Sequence, residues 1–267
     1  MSEALFRRDG DLYHPTSLTE GPWSPDAQHG GPPAALLAGA VEKSPTETEM
    51  VVARITIELL RPVPLETLRL TSEVVRPGRK VQLVSAALWH EDTEVARALA
   101  LKIRRTDVDL PFDQPEVDPI PAPEGGRDVI FFANPGGFAT EAVEIKMLMG
   151  DFAEPGPGQA WLRLRVPLVE GEETTGVERV AAAADFGNGI SNLAGKKRDW
   201  IFINPDLEVR MARPPEGEWI YLDSETRISP GGAGIASSTI ADRKGWLGLA
   251  AQSLFVDAME PRSPGGR

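Results

Sequence analysis

Two-residue alternation of apolar and polar positions runs through most of the chain. The segments VVARITIELL (51–60), LRLTSEVV (68–75), KVQLVSAALWH (80–90) and EVARALALKI (94–103) are rich in β-branched and aliphatic residues. RPVPLE, RPGR and HEDT punctuate them, so they predict strands, and HEDT is short enough for an antiparallel hairpin. The alanines of the fourth segment would also suit a helix; its hairpin context selects a strand. Upstream, residues 5–13 predict one short strand before the turn-rich run HPTSLTEGPWSPDAQHGG. Pro32 and Pro33 then suit a first helical turn, where no amide hydrogen is needed. AALLAGAVEK follows, with Leu36, Leu37, Ala40 and Val41 on one side, and predicts a buried helix.

The second half repeats this order. VIFFANPGGF and EAVEIKMLMGDF predict strands, and QAWLRLRVPLV alternates clearly. Thr175-x-x-Glu178 is a capping-box pattern ahead of VERVAAAADF. It predicts an alanine-rich helix ending near Gly187 or Gly189. In DWIFINPDLEVRMARP a loop leads to a turn at Asn204 and Pro205, and a strand begins at Asp206. There Leu207, Val209 and Met211 alternate with Glu208 and Arg210. EWIYLDSETRI, GIASSTIAD and LGLAAQSLFV predict three more strands, with DRKG as the last hairpin and a loose tail. Residues 107–127, with five prolines and six acidic residues, oppose both helix and sheet and read as an extended connector. The predicted organisation is therefore an N-terminal unit at 1–106, a linker at 107–127 and a C-terminal unit at 128–267. The class is α+β, with two tandem antiparallel sheets each wrapping one central helix.

Composition narrows the function classes. With 41% hydrophobic and 25% charged residues in 267, the chain is globular and long enough for an ample core. A formal charge of −12 argues against general binding to nucleic acid or anionic membranes. The absence of cysteine excludes disulfides, thiolate nucleophiles and cysteine-based zinc sites. His14, His29 and His90 are too widely spaced to form a metal-ligand pattern, so neither metal nor cofactor is predicted. The N-terminus lacks the apolar stretch of a signal peptide, and the run from Ala34 to Val41 is too short to span a bilayer. A cytoplasmic protein without a membrane span is the expectation.

The two halves align on Arg61-Pro62 with Arg213-Pro214 and on Pro77-Gly78 with Pro230-Gly231. Arg54 then falls opposite Asp206, Glu73 opposite Thr226, and Ala100 opposite Gln252. Such polar differences suit one working site and one scaffold copy; drift at rim positions would also produce them. Asp206 alone would read as a turn residue beside Asn204 and Pro205.

QHGGPPAALLA, FINPDLEVRMARPPEGEWIYLDSETR and GLAAQSLFV resemble the acyl-CoA thioesterase II family and its thioesterase-like relatives. The resemblance implies a double hotdog fold and hydrolysis of acyl-CoA to free fatty acid and coenzyme A. It matches the family's catalytic aspartate to Asp206, its hydroxyl partner to Thr226 and its glutamine to Gln252. Pro32 replaces the glutamine that the family carries after the Gly-Gly pair, so neither that amide side chain nor a backbone donor is available there.

On this reading Asp206 takes a proton from water while Thr226 and Gln252 fix that water, and a general base contributes roughly 10²–10⁴ in rate. Gly30 and Gly31 would bring amide hydrogens at a helix N-terminus to the thioester oxygen, or simply form a tight helix entry. His29 is a candidate substrate contact or base. Asp185 and Asn188 could line the same cleft, although helix-terminal hydrogen bonding accounts for them as well. Lys196, Lys197 and Arg198 could meet coenzyme A phosphates or form a solvated loop. Trp23, Trp161, Trp200 and Trp219 suit core or rim packing, or an acyl channel. A hydratase would pair Asp with His in one loop, and no such pair follows either helix. A non-catalytic acyl-CoA or lipid-binding protein is the alternative outside enzymes. The tandem repeat satisfies within one chain the pairing that single units achieve as dimers, so a homo-oligomer is optional.

Overall fold

Alternation becomes strand along nearly the whole chain. The computed structural model describes residues 4–22, 24–113, 119–129, 136–194 and 200–259. In the first half lie β1 (Phe6–Asp9), β2 (Leu12–Pro15), β3 (Met50–Leu59), β4 (Leu68–Arg76), β5 (Val81–His90) and β6 (Thr93–Arg104), with helix α1 at Gly31–Lys43. The second half carries β7 (Arg127–Asp128), β8 (Val143–Asp151) and β9 (Glu154–Leu164). Helices α2 (Gly176–Ala184) and α3 (Gly187–Ile190) follow. Strands β10 (Trp200–Ile203), β11 (Asp206–Met211), β12 (Ile220–Ile228), β13 (Ala233–Asp242) and β14 (Gly245–Ala258) complete it.

Several local features differ from the sequence expectation, among them the connector at 107–127, which carries a 3₁₀ turn at Pro123–Gly125 and the start of β7 at Arg127. The segment at 5–13 is a hairpin of two strands, turning at Gly10 in the left-handed region (φ 65°). Phe138 opens a single π-helical turn, Phe138–Ala142, instead of ending a strand, and residues 130–135 of that segment lie outside the described residues. Helix α2 stops at Ala184, and α3 follows as a separate short turn after Asp185 and Phe186. WIFI, predicted as loop, is strand β10 because the end of β14 extends far enough to pair with it. The predicted capping box is present: Glu178 N–H donates to Thr175 Oγ1 and Thr175 N–H to Glu178 Oε2.

The strands do not form two separate sheets. They make one antiparallel sheet in the order β1-β2-β4-β5-β6-β3-β11-β14-β13-β12-β9-β8-β7, with β10 also on β14. Strand β3 pairs with β11, so each half covers the edge that the other would leave unpaired. On either side of this junction the order is mirrored, β4-β5-β6-β3 against β12-β13-β14-β11. Thr56 and Glu208, 152 residues apart and opposite one another, lie at the junction's centre, and Thr56 Oγ1 donates to Glu208 Oε2 at 3.3 Å. The repeat alignment that equates Arg54 with Asp206 and Ala100 with Gln252 has the same spacing.

Helix α1 rests on β3–β6, and α2 with α3 on β9 and β11–β14. The two long helices run antiparallel. A Cβ at Gly31 would lie 2.9 Å from Ala182 O, while Lys43 Nζ reaches Glu178 Oε1 at 3.1 Å. Ala34–Ala38 and Ala181–Ala184 are buried along this contact, where small side chains let the backbones approach. The N-terminus of α1 thus meets the C-terminus of α2 between the two halves.

Candidate active site

Asp185 sits at that meeting point, immediately after α2. A carboxylate at a helix C-terminus opposes the macrodipole and needs donors from elsewhere. They converge from three other segments. His29 Nδ1 lies 2.8 Å from Oδ2, and Asn204 Nδ2 donates to Oδ1 at 2.7 Å. Gln252 Nε2 donates to Oδ1 at 3.3 Å and to the Asp185 carbonyl at 3.2 Å, and the Gly31 amide also faces the carboxylate. The Asp185 side chain is only 4% exposed. Burial by itself would push its pKa up. The electrostatic pull and hydrogen bond of the neighbouring His29 ring, with the donors of Asn204 and Gly31, outweigh burial and hold it below the usual carboxylate value.

Gly30 makes this approach possible, since a Cβ there would stand 2.8 Å from Oδ2 and 3.0 Å from Oδ1. The Gly31 amide nitrogen is also 3.1 Å from His29 Nδ1. A proton on Nδ1, directed at Asp185, leaves that nitrogen no lone pair for Gly31, so the Gly31 hydrogen belongs to the carboxylate. The His29 ring lies against Phe186 (centroids 4.9 Å, 26° between planes) and Phe138 (5.1 Å). Its Nε2 has no protein partner among the described residues. The arrangement is an imidazole clamped at one nitrogen and open at the other.

Of the residues singled out from sequence, the fold brings His29, Gly30, Gly31 and Gln252 together, with Asp185 and Asn204. Thr226 lies on the same inner face as Gln252, in register through Ala236, but two strands away. Its Oγ1 is 2.8 Å from Ser191 Oγ, and among the described residues it makes no hydrogen bond to the Asp185 group. Asp206 is placed elsewhere. Strand β11 buries Leu207, Val209 and Met211, so Asp206 shares the outer face with Glu208 and Arg210, opposite to Gln252. Its carboxylate accepts from Ser253 N at 2.6 Å and Ser253 Oγ at 3.1 Å. The residue that turns inward from this stretch is Asn204. Phe202 pairs with Val256 on the buried side, and the break at Asn204-Pro205 shifts the alternation before β11 starts.

Asn188 gives its amide hydrogen to Gln252 Oε1 at 2.9 Å and its Nδ2 to Phe202 O at 3.4 Å. Beyond Pro205 an open groove of about 1060 Å³ is walled by Leu193, Trp200, Phe202, Ile228, Phe255 and Val256. Trp161 is in the core, donating to Pro121 O at 2.8 Å, and Trp219 lies under Arg163. Trp23, Lys196, Lys197 and Arg198 lie outside the described residues. Among those described, no helix is long and apolar enough to cross a membrane.

Known proteins share this architecture. A family model for the acyl-CoA thioesterase N-terminal domain matches residues 19–103, and one for the acyl-CoA thioesterase C-terminal domain matches 113–256. Similar solved structures include a hot dog fold protein from Alicyclobacillus acidocaldarius (16% identity, 96% of each chain covered, TM-score 0.72). A tesB protein from Mycobacterium avium subspecies paratuberculosis is 16% identical over 94% of this chain and 96% of its own, with a TM-score of 0.67. The acyl-CoA thioesterase II TesB2 from Mycobacterium marinum is 15% identical over 96% of each chain, with a TM-score of 0.64. No curated protein sequence matches the chain.

Proposed function

Because this chain belongs to the acyl-CoA thioesterase family, matched by models of both its domains, we propose that it hydrolyses acyl-CoA thioesters with water activated by His29 and held in place through Asp185. The observation that carries the reading is the 2.8 Å contact between His29 Nδ1 and a buried carboxylate, with Nε2 left open. Nε2 takes a proton from water as the water oxygen attacks the thioester carbonyl carbon. The C–S bond then breaks, and the imidazolium returns its proton to the departing thiolate. The products are a carboxylic acid and coenzyme A. Asp185, charged and surrounded by donors, fixes the ring and stabilises the imidazolium, while Asn204 and Gln252 keep the carboxylate oriented.

The oxyanion falls to the N-terminus of α1. Pro32 and Pro33 have no amide hydrogen, Gly31 N–H faces Asp185, and Ala34 N–H is bonded to Gly30 O. Gly30 N–H, which has no protein acceptor among the described residues, is the donor that remains, with the helix dipole behind it. The acyl chain lies in the apolar groove beside Asn204 and Pro205. Asp206, facing the far side of the sheet, takes no part. We read the halves, 1–106 and 128–267 joined by 107–127, as two hotdog units fused along one sheet, with the site at their seam.

Thiol release from a panel of acyl-CoAs tests the reading, and His29→Ala should lower it by roughly 10²–10⁴. A second reading draws on the same His29–Asp185 pair, which is the kind of couple a hydratase uses, although here it comes from two segments. Loss of enoyl-CoA conjugation without thiol release would select that reading. Tight acyl-CoA binding with neither reaction would select a binding protein.

A further inference from the structure

Under α3 the inner face of the sheet carries a patch of buried hydroxyls: Ser224 (1% exposed) and Thr226 (5%) on β12, and Ser238 (5%) on β13, with fully buried Ser191 following α3. Hydroxyls in a dry position are costly unless bonded, so their partners are informative. Ser224 Oγ and Ser238 Oγ pair with each other at 2.6 Å. Thr226 Oγ1 and Ser191 Oγ are 2.8 Å apart, and Ser191 Oγ donates to Gly187 O, also at 2.8 Å. Since Ser191 has one hydroxyl hydrogen and gives it to Gly187, Thr226 must be the donor to Ser191.

The bonds therefore have a direction. Thr226 holds Ser191, Ser191 holds the Gly187 carbonyl, and the first turn of α3 is tied to the sheet. The next amide in that turn, Asn188 N–H, donates to Gln252 Oε1 at 2.9 Å. With its oxygen held, the Gln252 amide has only Nε2 left to offer, and Nε2 reaches Asp185. There is little slack, because a Cβ at Gly187 would lie 2.9 Å from Ser238 Oγ and 3.1 Å from Gln252 Oε1. A flipped Gln252 would set its oxygen against the carboxylate and its NH₂ against Asn188 N–H, two repulsive contacts in a buried setting.

We infer that Thr226 and Ser191 are positioning residues, which fix α3 so that the Asn188 amide selects the end of Gln252 presented to Asp185. The inference rests on the reading that Asp185 serves the reaction. A hydroxyl merely filling its place would need no such chain.

The test is steady-state thiol release by the full chain. Thr226→Val should lower kcat roughly 10- to 100-fold, as misplacement of a catalytic group does, with little change in KM. Thr226→Ser, which restores the donor, should recover most of that loss. In the Gln252→Ala background, Thr226→Val should cost almost nothing further, because its effect passes through the missing amide. Ser191→Ala, which cuts the same chain without touching β12, should repeat the result if Thr226→Val folds poorly. Wild-type kcat in both Thr226→Val and Ser191→Ala would overturn the inference, as would losses that multiply with that of Gln252→Ala. If Asp185→Asn is inactive while Thr226→Val and Ser191→Ala are normal, this inference alone fails. An active Asp185→Asn removes the reading beneath it.

Discussion

The Asp185 carboxyl stays below its usual pKa despite burial because His29, Asn204 and the Gly31 amide reach it, and Gln252 adds a fourth donor. They come from three other stretches of chain, 29–31, 204 and 252, so the convergence could not be read locally. One cue was nevertheless present in the sequence, since an acid straight after an alanine-rich helix opposes the dipole and calls for an outside partner. Gly30 is the position with least tolerance. Gly30→Ala would press a methyl group to within 2.8 Å of the carboxylate. We expect it to displace Asp185 from His29, cost about 1–3 kcal/mol of stability as overpacking does, and lower thiol release more than Tm loss alone explains. Parallel thermal melts and rate measurements check this. Asn204 escaped the sequence reading for a different reason. Alternation counted from Asp206 gives the correct faces for β11, but Pro205 interrupts the strand, and the inward side chain lies one residue before the break.

The helix pair is the element on which the site depends, and its two ends differ. At the end away from His29, Glu178 closes the capping box, pairs with Lys43 at 3.1 Å, and fills the space that a Cβ on Gly39 would need. Thr175 Oγ1 also donates to Glu42 Oε2 at 2.5 Å, and burial pushes the Glu42 pKa up. Glu178→Ala removes one half of the capping box and leaves Lys43 with Glu172 as its ion-pair partner among the described residues. A loss of about 1–2 kcal/mol is the expectation for the cap, seen as a lower Tm. Thiol release per folded molecule should remain near wild type, because the reacting groups lie at the opposite helix ends. The capping box was legible from Thr175-x-x-Glu178, as were α1 from its prolines and alanines and α2 from its alanines, whereas the separate turn α3 was not. Strand β10 was not legible, since four residues of WIFI become strand only because β14 runs past its hairpin to meet them.

Across the whole molecule, the repeat seen in sequence becomes a mirrored strand order about the Thr56–Glu208 pair. Strand positions and the equivalence of the halves could be read from alternation and spacing. The joining of two expected sheets into one could not, because pairing between β3 and β11 depends on two distant edges finding each other. The same joining brings the Gly-Gly helix entry of the first half to the carboxylate of the second, and sends Asp206 and Asp185 to opposite sides of the sheet. That separation gives the sharpest test. Thiol release from one acyl-CoA should be measured side by side for wild type, Asp185→Asn and Asp206→Asn. Turnover should fall by roughly 10²–10⁴ in Asp185→Asn and stay near wild type in Asp206→Asn. Loss of activity in Asp206→Asn with Asp185→Asn still turning over would contradict the role given to Asp185.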